Sequence, residues 1–174
     1  MRSSIEVEVR APATLVFELA RNVERWPALL PHYLRVRVLA RHPDDSLTAQ
    51  FVAVRAIVPV LGLGLPVAWR SRVWPTQDPP QLRFVHLGCA TDGMDVTWRL
   101  MPTDTGCRVA IEHEFRPRLG WWAWLIDRLF VRPIARRTLG TFTAIAEAVA
   151  AGLPDDRRAE RRSKGPVQPK TRVT

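Results

Sequence analysis

The strongest constraint on this chain is an amphipathic helix placed last, over Trp121 to Ala151. From Ile134, residues Thr138, Phe142, Ile145 and Val149 recur at steps of three and four, flanked by Ala135, Leu139 and Ala146. That spacing draws one stripe along a helix, while Arg137, Thr141, Ala144 and Ala148 fall on the opposite side and tolerate water. Gly152 and Pro154 supply a stop signal just past it. Such a stripe must be buried against something, and nothing earlier in the chain is a helix of this length. What precedes it is sheet, so the expected fold class is α+β, one sheet receiving one helix.

The sheet is legible as alternation. Ser3 to Arg10 places Ile5, Val7 and Val9 on one face and Glu6, Glu8 and Arg10 on the other, which predicts a half-buried strand. Pro12 suits the first position of a short helix carrying Leu15, Val16 and Leu19. Asn22 is the expected cap of a second short helix, kept short by Pro27 and Pro31. Six further strands follow, over Leu34–Arg41, Leu47–Ala56, Val67–Thr76, Leu82–Gly88, Met94–Pro102 and Arg108–Phe115. His42-Pro-Asp-Asp-Ser, Gln77-Asp-Pro-Pro and Thr103-Asp-Thr-Gly read as turns between them. Connections this short predict an antiparallel meander curled around the last helix.

Composition sets the boundaries. The 174 residues are expected to hold one domain, residues 1–153, followed by a basic, disordered tail over 154–174. Asp155 to Thr174 carries seven Lys or Arg against three Asp or Glu and no apolar period. The longest apolar run, Ala56 to Trp69, is too short to span a bilayer and is broken by Pro59, Gly62, Gly64 and Pro66. Strand-like sequence begins within five residues of Met1, leaving no room for a targeting segment, and the expected location is cytoplasmic. Cys89 and Cys107 then read as reduced thiols. The net charge of +9 is compatible with peripheral membrane contact, but no nucleic-acid motif accompanies it, so no specific nucleic-acid partner is expected. The four histidines are scattered without acids at ligand spacing, so neither a metal nor another cofactor is expected. Oligomeric state is not encoded in any of these features.

Strand parity also selects the residues facing the helix. Arg70 and Arg72 need water, which turns Val67, Trp69, Ser71 and Val73 inward. The same rule points Leu82, Phe84 and His86 in, then Met94, Val96, Trp98 and Leu100, then Val109, Ile111, His113 and Phe115. The inner face is therefore aromatic and aliphatic, with Ser71, His86 and His113 as polar exceptions. An apolar hollow with a few polar groups is the usual make-up of a small-molecule pocket.

Several segments carry a family likeness. Ile5 to Arg41 reads I-x-V-x-V-x-A-P-x-x-x-V-F-x-L-A, then N-V-E-R-W-P-x-L-L-P-H-Y, then V-R-V-L; later come G-M-D-V-T-W-R-L (Gly93 to Leu100), V-A-I-E-H-E-F (Val109 to Phe115) and F-V-x-P-I-A-R-R-T-L (Phe130 to Leu139). Together they resemble the polyketide cyclase/dehydrase branch of the START and Bet v 1-like (SRPBCC) superfamily, which includes aromatase/cyclases and coenzyme Q-binding proteins. The resemblance implies the helix-grip fold, β-α-α-β6-α, a curved antiparallel sheet around a C-terminal helix with a hydrophobic cavity between them.

The resemblance further implies cavity positions. Trp26 and Tyr33 match a Trp and a Tyr that line the cavity of aromatase/cyclase relatives, and Trp69 and Ser71 match the start of a Trp-x-Ser-x-Arg strand. Val73 stands where those relatives carry the cationic residue. His86 falls roughly where relatives can place another Arg, and an imidazole replaces that cation only when protonated. His86 and Tyr33 are thus the candidate catalytic residues; Trp26, Trp69, Ser71, Val73, Phe84, Trp98, His113 and Phe142 are the candidate ligand-binding residues. Each has a plain alternative: the tryptophans as core, and His86 and His113 as hydrogen-bonded structural imidazoles. Ser71 lacks a nucleophile elbow or triad partners.

Two functional readings follow from the resemblance. One is a protein that binds a polyketide-, isoprenoid- or lipid-like molecule and promotes its cyclisation, aromatisation or dehydration. The other is a non-catalytic carrier of a lipid or quinone, like the coenzyme Q-binding proteins. The cluster Trp121-Trp122-Ala-Trp124, beside Arg128 and Arg132, reads either as helix entry packed under the sheet rim and kinked at Pro133, or as a hydrophobic lid or membrane-touching edge.

Overall fold

The computed structural model describes residues 2–58, 63–116, 124 and 126–152. Seven strands form one antiparallel sheet: β1 (Arg2–Val9), β2 (Tyr33–Arg41), β3 (Leu47–Val58), β4 (Leu63–Gln77), β5 (Pro80–Leu87), β6 (Asp95–Thr103) and β7 (Gly106–Glu114). Their spatial order is β1-β7-β6-β5-β4-β3-β2. Strands β2 to β7 are the expected meander, and β1 joins its far edge by pairing with β7, Ile5 opposite Ile111 and Val9 opposite Cys107. Gly106, which opens β7, passes so close to β1 that a Cβ there would overlap the Val9 carbonyl oxygen. Only glycine fits that approach.

Between β1 and β2 lie α1 (Ala13–Arg21), a 3-10 turn (Val23–Arg25) and α2 (Trp26–Leu29). Pro12 is the residue before the first turn of α1, with extended ψ of 140°, one place earlier than the sequence suggests. Asn22 does not cap the next turn with its side chain. Instead its carbonyl accepts the Arg25 N–H at 3.0 Å, and the Trp26 indole N–H donates to the Ala20 carbonyl at 3.0 Å. The tie from Trp26 back to α1 holds this segment against the sheet.

The final helix, α3 (Arg132–Gly152), packs on the concave face, confirming the helix grip. Its entry differs from the uniform helix expected from Trp121. Asp127–Val131 forms a π-helical turn, in which the Arg132 N–H bonds the Asp127 carbonyl five residues back. Pro133 explains the location: it has no N–H to continue the ladder, so the widened turn lies just before it. The buried stripe is Ala135, Thr138, Leu139, Phe142 and Ala146; Val149, expected on it, is exposed. No described helix is long and apolar enough to cross a membrane. The tail expected over 154–174, the Gly62 turn and Trp121 and Trp122 lie outside the described residues.

Strand parity is as the alternation predicts. Ser71 and Val73, Leu82 and Phe84, Met94 to Leu100 on alternate residues, and Val109, Ile111, His113 and Phe115 are all buried. The outer face carries ion pairs such as Arg83–Asp95 and Arg108–Glu8, exposed enough to contribute little to stability.

Candidate functional site: an aromatic cavity under the final helix

Between the concave face and the first turns of α3 lies a cavity of about 160 Å³, room for about one aromatic ring. Trp26, Tyr33, Phe51, Phe84 and Trp98 form its floor. Trp26 is the hub: its ring meets Tyr33 edge-on at 5.1 Å, stacks on Trp98 at 5.6 Å and lies 5.8 Å from Phe142. A second row, Phe51, Trp69 and His86, rises from the floor as a parallel stack, with centroids 5.4 and 6.0 Å apart. Phe130, Val131, Ile134, Ala135 and Thr138 close the helix side.

Of the positions expected to bind ligand, Trp26, Trp69, Phe84, Trp98 and His113 are on the wall, as are the candidate catalytic residues Tyr33 and His86. Ser71, Val73 and Phe142 are fully buried off it. Ser71 sits opposite His86 across the β4–β5 pair, and its hydroxyl has no hydrogen-bond partner. Val73 is packed opposite Phe84, so no charge enters the floor from β4.

The polar groups are held neutral. Burial, with His113 nearby, pushes the His86 imidazole down to about 4. Burial likewise takes His113 to about 4 despite the Asp127 carboxylate, which acts the other way. His86 is therefore unprotonated at pH 7 and does not replace the cation missing at Val73. Its Nδ1 lies 2.8 Å from Thr91 Oγ1; when Nδ1–H donates there, Nε2 remains the ring's acceptor.

Tyr33 belongs to a second polar group that sequence reasoning missed. His32, also pushed down to about 4 by burial, has Nε2 2.8 Å from Thr138 Oγ1. Thr138 also hydrogen-bonds Tyr33, whose phenol burial raises above its ordinary range, keeping it protonated. With His32 Nε2–H donating to Thr138 and Thr138 O–H donating to the Tyr33 oxygen, the Tyr33 O–H is left to donate into the cavity. Thr138 could have been found in the sequence as the one polar residue in the helix stripe. His32, in a Pro-flanked loop, gave no such signal.

Asp127 is a further missed residue. It is buried in the π-helical turn, accepting from Ser3 Oγ at 3.0 Å and pairing with Arg132 at 2.5 Å. It fixes the helix entry beside His113. Trp124 of the tryptophan cluster is 61% exposed, with the Arg128 guanidinium 5.8 Å from its ring.

A curved sheet gripping one helix, with a ring-lined hollow between them, defines a helix-grip ligand-binding domain. The chain belongs to the family described as polyketide cyclase/dehydrase and lipid transport, which matches residues 9–145. In structure it is similar to the Zhui aromatase/cyclase from Streptomyces sp. R1128 (TM-score 0.71, 17% identity, 84% of this chain and 93% of that one). It is also similar to TTHA0849 from Thermus thermophilus (TM-score 0.67, 20% identity, 86% and 99%). A START superfamily protein from Mycobacterium smegmatis has TM-score 0.62, 15% identity, and 85% and 98% coverage. No curated protein matches in sequence.

Proposed function

We propose that this protein binds a ring-containing, polyketide-like molecule in the cavity and promotes its enolisation, cyclisation or dehydration by hydrogen bonding rather than by charge. The observation that carries this reading is an aromatic wall bearing a neutral imidazole, His86, and a phenol, Tyr33, kept protonated. Tyr33 donates to a substrate carbonyl, and His86 Nε2 accepts from an acidic C–H or O–H. In an apolar cavity both interactions are stronger than in water, and the aromatic walls hold a substrate ring beside both groups. The aromatase/cyclase among the structural neighbours is consistent with this chemistry.

The second reading is a carrier of a quinone or lipid. It is favoured by Val73, which places an aliphatic side chain where a polarising cation is expected. Native mass spectrometry with aromatic ketones, a short-chain quinone and a phospholipid, followed by turnover assays on retained ketones, tests both. Retention and conversion of a ketone, lost in His86→Gln and Tyr33→Phe but with binding kept, is the expected result. Tight quinone or lipid binding with no conversion of any ketone overturns the catalytic reading in favour of the carrier.

A further inference from the structure

Arg55 stands out among the arginines. On β3 it shares the parity of Phe51 and Ala53, both buried on the inner face. Pairing sets Phe51 opposite Trp69, Ala53 opposite Val67 and Arg55 opposite Leu65, so Arg55 is one row above the wall residue Val67. Its guanidinium lies over the ring of Phe130, 5.6 Å from the centroid, and Phe130 also lines the cavity. The residue is half-buried, and its Nε is buried without a hydrogen-bond partner. Among the described residues it is the one partly buried arginine with no carboxylate partner; Arg72, similarly buried, pairs with Asp44.

An arginine fixed on an aromatic ring with a donor unmet is a preorganised oxyanion site. A cavity holding about one ring also leaves the remainder of a larger ligand at its rim. We infer that Arg55 reads an anionic group, a carboxylate or a phosphate, on a ligand whose ring occupies the aromatic floor. This rests on the cavity reading above and adds a ligand class to it: an amphipath with a neutral cyclic body and an oxyanion head. The cation that Val73 removes from the floor is thereby supplied at the rim, from a different strand.

Two fluorescent probes that differ by one anionic group test the assignment: 1-anilinonaphthalene-8-sulfonate and neutral N-phenyl-1-naphthylamine, each titrated into the full chain. Arg55→Gln should weaken the sulfonate about tenfold or more, the loss of one charge-assisted contact, while the neutral probe stays within about twofold. Arg55→Lys, which keeps charge but not the planar fork, should fall between. Arg37→Gln, on the exposed outer face, should change neither. Displacing the neutral probe with 2-naphthoate, 2-naphthyl phosphate and 2-naphthol identifies the head group: the tighter anion names it, and no advantage for either over naphthol overturns the assignment. Unchanged sulfonate affinity in Arg55→Gln, or an equal loss in Arg37→Gln, also overturns it while the cavity reading stands. Failure of the neutral probe to bind at all overturns the cavity reading, and this inference with it.

Discussion

Trp26 and Trp69 both line the cavity, yet they live in different surroundings. Trp26 is 2% exposed, ringed by Tyr33, Phe51, Phe84, Trp98 and Phe142, with its indole N–H bonded to Ala20. Trp69 is half-buried and lies flat between Phe51 and His86, nearer the rim where Arg55 and Phe130 stack. The same residue type does different work: at the floor it holds α2 to the sheet, and at the rim, its faces covered by Phe51 and His86, it presents a ring edge to the cavity. Stability and recognition are thus separated along one stack of rings.

The largest effect that tests this division is at the floor. Trp26→Ala removes the hub and leaves a void, costing about 3–5 kcal/mol and roughly 10 °C or more in Tm. Trp69→Ala should cost about half of that or less, while reducing affinity for a ring ligand by more. Comparable stability losses in denaturant melts would erase the distinction between floor and rim.

Acid should attack the interior next. His32, His86 and His113 each bind a proton less readily folded, at about 4, than unfolded, near 6.5. Between those limits the unfolded chain holds more protons, so stability is fully present above about pH 6.5 and is lost as pH falls toward 4. A Tm lower by roughly 15 °C or more at pH 4.5 than at pH 7 is expected. His86→Gln should narrow that loss, and a flat Tm over this range would show that the three imidazoles are not held neutral by burial.

A smaller loss is expected from Thr138→Val. It leaves His32 Nε2 and the Tyr33 hydroxyl short of a buried partner, at about 1–3 kcal/mol. If the melt is unchanged, water takes the hydroxyl's place. Smallest in stability is His86→Gln, within about 1 kcal/mol at pH 7, since glutamine keeps a hydrogen bond to Thr91. Its signature is instead catalytic, about a hundredfold or more in turnover if His86 takes the proton, with a wild-type acid limb near pH 4 rather than near neutrality.

Much of this is legible in the sequence. Alternation alone turned Trp69, His86, Trp98 and His113 to the concave face, because a one-residue slip would bury Arg70, Arg83 or Arg99. Arg55 escaped the same rule, although Phe51 and Ala53 precede it at a period of two. Charge argues for water, and only the tertiary contact with Phe130 shows how the inner face accommodates it. Asp127 and His32 were hidden for a related reason: each is buried by partners more than a hundred residues away, Ser3 in one case and Thr138 in the other. The helix was foreseen, but its π-helical entry was not, since a proline marks where a ladder breaks and not how it is repaired.

The central claim is that ring ligands enter the space beneath α3. Ala135, buried on the first turn of that helix and part of the cavity wall, gives the most direct measurement. Ala135→Phe puts a ring into the roughly one-ring void while leaving every rim residue and every polar residue in place. Titration of N-phenyl-1-naphthylamine should show saturable binding to the wild type and at least a tenfold loss in the variant, with Tm held or raised as the void fills. Undiminished binding by a folded Ala135→Phe protein would place the ligand elsewhere and contradict the account.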